Sequence, residues 1–470
     1  MGQNRFLRNV SANSLQMIIN QLFGLLIFYV LSKGVDKNVF GHISWSLAIL
    51  LTAFSLLSFG IDQVMVRRIA AGQDRQSVFA VYLFHVVISG ALFYLLILAQ
   101  YFLFPGSFPQ QGFLLFIGIG KLFIFFSMPC KQLATGVEKF TLLLYMTVVS
   151  NIIRGLGLLV LLFMGNMTVT NILIIFIAGD LMELIVSFLI ARPMLFPLNK
   201  KTIDGKLYMD LFRESLPQAG VVVFTAIMAR FDWILIGVIV SSSRLAEYSF
   251  AWKLFEVSTL PLLIIAPIMI PLFTRIFKDK VDAGDPSFFL EWQIIIACFI
   301  ALVLNLCWSP VIDLITDDKY GAVNSGTVFI LSLGMPLLYF NNYLWTINFA
   351  KGKLKLIFSI IAVSFIVNIA GCCILIPLYG NEGAAVAYFV SVVAQAIMYN
   401  NRTMISMSAQ RKWLLMAWPL LAFACGFLVT RFIPNPFISA SIAILVYAGA
   451  VIISRQVKTV DWKSLQSLYQ

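Results

Sequence analysis

Apolar runs of about 20 residues, separated by short polar stretches, recur along the whole chain, and that length matches a helix crossing the hydrocarbon core of a bilayer. The pattern predicts fourteen spans, at 10–31, 41–61, 78–102, 112–128, 141–164, 169–191, 215–240, 248–273, 289–312, 326–350, 355–377, 383–400, 413–432 and 437–454. A segment in lipid must satisfy its own backbone hydrogen bonds, so the fold class is all-α and polytopic. Only Arg5 and Arg8 precede the first run, which is long and lacks a small-residue cleavage site. It is therefore expected to be a retained helix and not a signal peptide.

Composition agrees: of 470 residues 60% are hydrophobic and 11% charged, with a mean hydropathy of +0.93. A soluble domain carries about 25% charge. The formal net charge of +12 would suggest nucleic acid in a soluble chain, but the positions of the cations give a different explanation. With the N-terminus inside, 24 of the 33 Lys and Arg fall in cytoplasmic segments, 5 in outer loops and 4 within spans. That asymmetry predicts both termini on the cytoplasmic side of the membrane and no nucleic-acid partner. The six cysteines show no CxxC spacing, mostly lie in apolar runs and read as small core residues. Two histidines leave little material for a metal or nucleophile site, and no metal or other cofactor is expected.

The longest cytoplasmic connection divides the first twelve spans into six and six. Gly136, Asn151 and Gly165–Asn166 in the first half match Gly352, Asn368 and Gly380–Asn381 in the second, at offsets of 216, 217 and 215 residues. The expected organisation is a six-helix bundle over 1–191, a linker over 192–214, a second bundle over 215–402, and two extra helices with a tail over 403–470. An even number of spans per half gives both copies one orientation, so a pseudo-two-fold axis along the membrane normal and a site near mid-membrane are expected. Pro217 in the seventh span, Pro261, Pro267 and Pro271 in the eighth, and Pro336 in the tenth each remove a backbone donor. The eighth helix is accordingly expected to bend.

The stretch from Arg213 to Phe273 concentrates the chemistry, because its two spans hold Arg230, Asp232, Lys253 and Glu256. A charge at that depth costs a few kcal/mol unless it is paired or wet, so these residues predict an aqueous transport cavity. Arg154 and Arg230 lie near the middle of the fifth and seventh spans, one in each half, and Lys121 lies midway along the fourth. A guanidinium offers a planar fork of donors and stays charged, which suits an anionic phosphate. Lys253 either meets substrate or pairs with Glu256 three residues on. Arg230 and Asp232, two apart, point to different sides of the helix. Asp180 and Glu183 share a face of the sixth helix; they either form a proton or sodium coupling site or balance Lys121 and Arg154. Asp62 and Glu256 are further candidates for ion coupling, Asp62 with the alternative of pairing with Arg67 or Arg68. Trp45, Tyr248 and Trp252 could stack on rings of a ligand or simply pack.

Three stretches carry a family resemblance. GVDKNVFGHISWSLAILLTAFSLLSFGIDQVMVRRIA resembles the second helix of bacterial polysaccharide transporters. RFDWILIG followed by RLAEYSFAWKLFEV resembles their seventh and eighth helices, and NFAKGKLKLIFSIIAVSFIVNIAGCCILIPLYGNEGAAVAYFV their eleventh and twelfth. Glu247 departs from the pattern, which usually has Gly before the Tyr. The resemblance implies an O-antigen-type flippase, within the superfamily that also holds multidrug exporters and peptidoglycan-precursor flippases. It implies a lipid-linked oligosaccharide on undecaprenyl pyrophosphate as substrate, membrane lipids and the polysaccharide polymerase machinery as partners, and alternating access as the mechanism. Helices 1, 2, 7 and 8 would line the cavity, with Arg154, Arg230, Lys121, Lys253, Asp232 and Trp252 contacting substrate.

The sequence holds no Walker A loop, HExxH or nucleophile elbow, which disfavours ATP-driven pumping and hydrolysis, and no enzyme is expected. A drug or organic-cation antiporter remains as an alternative, though twelve spans and an acidic cavity are usual there. A membrane-embedded glycan ligase would be expected to carry a large outer loop, and the outer loops here are short.

Overall fold

The computed structural model describes residues 2–195, 205–262, 265, 269–270, 273–274, 287–403 and 409–454. Every regular element among them is helical. The chain divides into two compact units, Met1–Ser249 and Phe250–Gln470. The linker expected at 192–214 is described only in part, since 196–204 lie outside the described residues.

The first unit opens with α1 (Gly2–Gly34) and α2 (Lys37–Ser58). Asp36 caps α2 by accepting the Asn38 N–H at 2.9 Å, which satisfies one of the free donors of the first turn. At the far end Phe59 (φ 52°) and Gly60 (φ 74°) both turn left-handed, and the chain re-enters a helix as α3 (Ile61–Ala70). The second predicted span thus starts four residues earlier than expected and ends in a sharp joint. Four long helices follow: α4 (Arg75–Leu103), α5 (Gln111–Gly136), α6 (Phe140–Phe163) and α7 (Val169–Leu195). Helix α5 lies against α2, α3, α4, α6 and α7, and Gly118, Gly120 and Gly136 let its neighbours come close.

The seventh span is broken. Helix α8 (Gly205–Met228) is followed by the short α9 (Phe231–Leu235) and one π-helical turn (Ile236–Val240), at a bend of 49°. Pro217 sits inside α8 and is not the break. At the joint the Arg230 amide bonds the Ile227 carbonyl, three residues back, and Arg230 itself has φ −145°. Helix α10 (Ser242–Ser258) follows. The bend expected from Pro261, Pro267 and Pro271 falls at positions where Pro267 and Pro271 lie outside the described residues.

The second unit contains α11 (Ser287–Thr316), α12 (Ser325–Leu333), α13 (Met335–Ala350), α14 (Leu354–Arg402), α15 (Ala409–Phe432) and α16 (Pro436–Ile453). The Asp313 carboxylate accepts the Gly321 and Ala322 N–H groups at 2.7 and 2.8 Å and so fixes the turn after α11. Pro336 stands in the first turn of α13, where its missing N–H costs no helical bond. Helices α15 and α16 pack on α11 and on each other, and the Tyr447 hydroxyl donates to the Ile295 carbonyl at 3.1 Å. Tyr343, Tyr399 and Trp418 sit in the same buried apolar cluster.

Among the described residues eleven helices are long and apolar enough to cross a membrane, or twelve if α8 with α9 and the π-turn make one bent span. Helix α14, at 49 residues, would be about 74 Å long if straight, enough for two crossings. Its one non-helical residue, Gly380 (φ 57°, ψ −127°), stands between the predicted eleventh and twelfth spans. The remaining predicted span, 248–273, starts in α10 and runs into positions outside the described residues. The matched Gly165 and Gly380 of the repeat share a left-handed φ, 65° and 57°.

Candidate functional site

The first unit contains a ladder of buried charge. Asp180 and Glu183 face inward from α7, and each meets a lysine of α5. Lys121 Nζ lies 2.7 Å from Asp180 Oδ2, and Lys131 pairs with Glu183. Arg154 of α6 approaches the other Asp180 oxygen at 3.4 Å. It also donates to the Ser150 hydroxyl and to Asn151 Oδ1, each at 3.0 Å, while Ser150 donates to Glu183. A Cβ on Gly120 would come within 2.7 Å of Asp180 Oδ2, and one on Gly179 within 2.9 Å of Arg154 Cγ. The two glycines make room for the ladder. Arg154, expected to meet substrate, is held by these partners among α5, α6 and α7, and Lys121 is buried beside it.

Removing one carboxylate would strand two cations. The variant Asp180→Asn is expected to lose about 3–5 kcal/mol of stability, because an unpaired buried charge is far costlier than a matched apolar pair. A thermal melt in detergent checks this. The triple variant Lys121→Met/Arg154→Met/Asp180→Leu, which strands neither cation, should recover most of the loss, and an unchanged melt for Asp180→Asn would remove the ladder from the account of stability.

The break between α8 and α9 presents a different charge. Arg230 is half-buried, donates to the Ala229 carbonyl at 3.3 Å and lies 4.4 Å from the centre of the Trp233 ring. Among the described residues no carboxylate lies within 4 Å of its guanidinium, although Asp232 is only two positions away. Asp232 is buried instead, accepting the Tyr248 hydroxyl at 2.6 Å and the Trp233 N–H at 2.9 Å. Trp233 meets Phe28 of α1 edge-on at 6.2 Å. Tyr248 is thus engaged by Asp232, and Trp45, whose indole N–H donates to the Ile234 carbonyl at 3.2 Å, packs beside the π-turn. Neither ring offers a free face for a sugar.

Helices α2 and α3 meet α8, α9 and the start of α10 along a seam that is closed at both ends. At one end Glu247 joins Lys37 at 2.6 Å and Arg244 at 3.2 Å. Gln110 donates to Ser242 at 3.0 Å, and Ser249 donates to Ser44 at 3.1 Å. At the other end Glu214 holds Arg68 at 2.6 Å and also pairs with Arg67. Gln218 donates to Gln63 at 2.7 Å, and Phe59 stacks on Phe212 at 4.8 Å. Arg67 and Arg68 therefore pair with Glu214 and not with Asp62. Asp62 has the Ser58 hydroxyl at 3.5 Å, and burial pushes its carboxyl above the usual range against the opposing backbone and Ser58 hydrogen bonds.

In the second unit Lys253 and Glu256 pair at 3.1 Å, one helical turn apart. Trp252 meets Tyr388 edge-on at 4.9 Å. The sequence did not single out Lys131, Ser150, Lys37 or Glu214. Glu247 stood out there only as a departure from the family pattern, and here it bridges two cations.

These features define a class: an all-helical, multi-pass membrane protein with the fold of flippases and transporters. The lipid II flippase MurJ in an inward closed conformation superposes with a TM-score of 0.75, at 16% identity over 94% of this chain and 99% of that one. An inward-facing multidrug resistance MATE transporter gives 0.65, at 13% identity over 86% and 95%. A MOP superfamily transporter from Pyrococcus furiosus, described as having a binding pocket of reverse polarity, gives 0.58, at 12% identity over 87% and 96%. At such identities the likeness is one of fold. No curated protein sequence matches the chain. The polysaccharide biosynthesis protein family matches residues 6–277, more than half of the chain, and the protein belongs to that family.

Proposed function

We propose that this protein is a flippase that carries an undecaprenyl-pyrophosphate-linked oligosaccharide, an O-antigen unit or a similar repeat, across the bacterial inner membrane by alternating access. Both termini lie in the cytoplasm, as the charge asymmetry along the chain suggests. The repeat organisation, 1–191 and 215–402 joined by 192–214 with 403–470 appended, belongs to the same proposal. Such a substrate has a double anion, hydrated sugars and a polyprenyl tail that stays in lipid. The carrier must replace the hydration of the diphosphate while it crosses.

The observation that carries this reading is Arg230. It is a cation at mid-span depth, at a helix break, with its guanidinium on an aromatic face and no carboxylate in reach among the described residues. An anion-binding role explains why such a group is kept where it costs a few kcal/mol. Lys121 and Arg154 are both engaged by Asp180 within the ladder, so we assign them to holding α7 and leave the diphosphate to Arg230. Asp232 and Tyr248 position the break. Lys253, Glu256 and Trp252 remain proposed contacts or coupling groups of the second unit. Opening one end of the seam while the other stays shut is the proposed stroke.

Depleting the protein in a strain that makes surface polysaccharide tests the function. Lipid-linked repeat units should accumulate on the cytoplasmic face, protected from glycosidase added to intact spheroplasts. Normal glycan display with heightened drug sensitivity would replace the proposal with a drug antiporter. Units stranded unjoined on the outer face would replace it with a ligase.

A further inference from the structure

The outward side of α7, opposite its ladder of acids, forms one wall of a groove whose other wall is α4. The groove holds about 570 Å³, within the range of small-molecule sites. Its lining is apolar apart from one residue. Ala80 and Leu83 contribute from α4, and Ile185, Phe188 and Leu189 from α7, with Arg192 as the single charged group. From Ile185 to Leu195 the α7 wall rises about 15 Å, close to half the thickness of a bilayer core. At the same end Gln76 of α4 donates to the Leu195 carbonyl at 3.0 Å and ties the two walls together.

We propose that this groove is a binding site for one anionic phospholipid of the inner leaflet, with an acyl chain along α4 and α7 and its phosphate on Arg192. Charge complementarity selects this occupant. A groove lined only by carbon would take any acyl chain, but a guanidinium at the headgroup end favours a net-negative lipid over a zwitterionic one. Its fork of five donors can serve a phosphate alongside a protein neighbour. The end of α7 that bears Arg192 is the one placed on the cytoplasmic side by the distribution of Lys and Arg, where anionic headgroups attract basic residues. The bound lipid steadies α7 from outside while the ladder at Asp180 and Glu183 holds it from within. It is a resident lipid and not the cargo, so this inference rests on the orientation proposed above and not on the identity of the transported substrate.

Native mass spectrometry of the full-length protein, released from detergent supplemented with phosphatidylglycerol or phosphatidylcholine of identical chains, provides the test. One phosphatidylglycerol should be retained about fivefold more strongly than phosphatidylcholine. Arg192→Gln should erase that preference, and Ala80→Phe, which fills the groove, should remove the retained copy. Lys139→Gln, which removes an exposed cation elsewhere, should behave as the unmodified protein. Equal retention of the two lipids, or a preference that survives both Arg192→Gln and Ala80→Phe, overturns the proposal. Displacement of phosphatidylglycerol by undecaprenyl phosphate overturns it too, by assigning the groove to a prenyl carrier.

Discussion

Replacing Arg230 with alanine is expected to leave the chain inserted and folded while surface polysaccharide falls at least tenfold. The folded state depends little on this side chain. Its contacts are one bond to the Ala229 carbonyl and the face of Trp233, and it completes no ion pair among the described residues. Removing a mid-span charge even relieves an insertion cost of about 2.5–3.5 kcal/mol. On the proposed function transport, in contrast, loses a charged hydrogen-bonding group worth about 1.5–3 kcal/mol to a bound anion. That is roughly tenfold to a hundredfold in affinity. Arg230→Lys keeps the charge but loses the planar fork and much of the stacking on Trp233, so it should retain partial export. Membrane immunoblots report the amount of protein, and the ratio of cytoplasmic lipid-linked units to surface glycan reports transport. Full glycan display by Arg230→Ala would take the anion-binding role away from this residue and leave the family membership intact.

Much of the fold was legible because bilayer thickness imposes one length on every span. The joint at Phe59–Gly60 also had a local signal, a glycine at the end of an apolar run. The break at Arg230 had none, since Ala229 and Arg230 are ordinary helix residues and the obvious breaker, Pro217, sits inside α8. The ladder was half legible. Two acids at i,i+3 demanded counter-charges, and Lys121 and Arg154 were the cations at matching depth. Lys131 gave no such signal, because the apolar run of the fourth span stops at 128, just before Pro129. The helix continues through that proline to Gly136, which brings Lys131 to Glu183. The seam was not legible at all. Glu214 and Arg68 are 146 positions apart, and no local pattern specifies a pair at that separation. The low specificity of each charge alone explains why the sequence offered Arg154 and Arg230 as equals, whereas the fold gives one of them partners and leaves the other beside an aromatic ring.

The seam also yields the sharpest steric expectation. Gly41 lies in α2 where a Cβ would stand 1.8 Å from the Ser242 carbonyl oxygen and 2.5 Å from its carbon. Both are backbone atoms, so no rotamer change can relieve the overlap. Gly41→Ala should therefore hold that end of the seam apart, while α2 itself gains helix propensity of about 1 kcal/mol. Overpacking of this kind costs about 1–3 kcal/mol. Charged to the closed form alone, that shifts the closed-to-open ratio about fivefold to more than a hundredfold. A carrier that cannot shut one end cannot complete a cycle, so export should fall by a comparable factor with the protein still present in the membrane. Ser44 reports the opening, because it is fully buried against Ser249. With the exposed Cys373 replaced by serine, Ser44→Cys should resist a membrane-impermeant maleimide while Gly41 is kept, and react with it once Gly41→Ala is added. Gly449, where a Cβ meets nothing within 4 Å, is the matched control, and Gly449→Ala should change neither labelling nor export. Export at the normal rate by Gly41→Ala, with the thiol introduced by Ser44→Cys still protected, would mean that closure at Lys37 and Glu247 is not a step of the transport cycle.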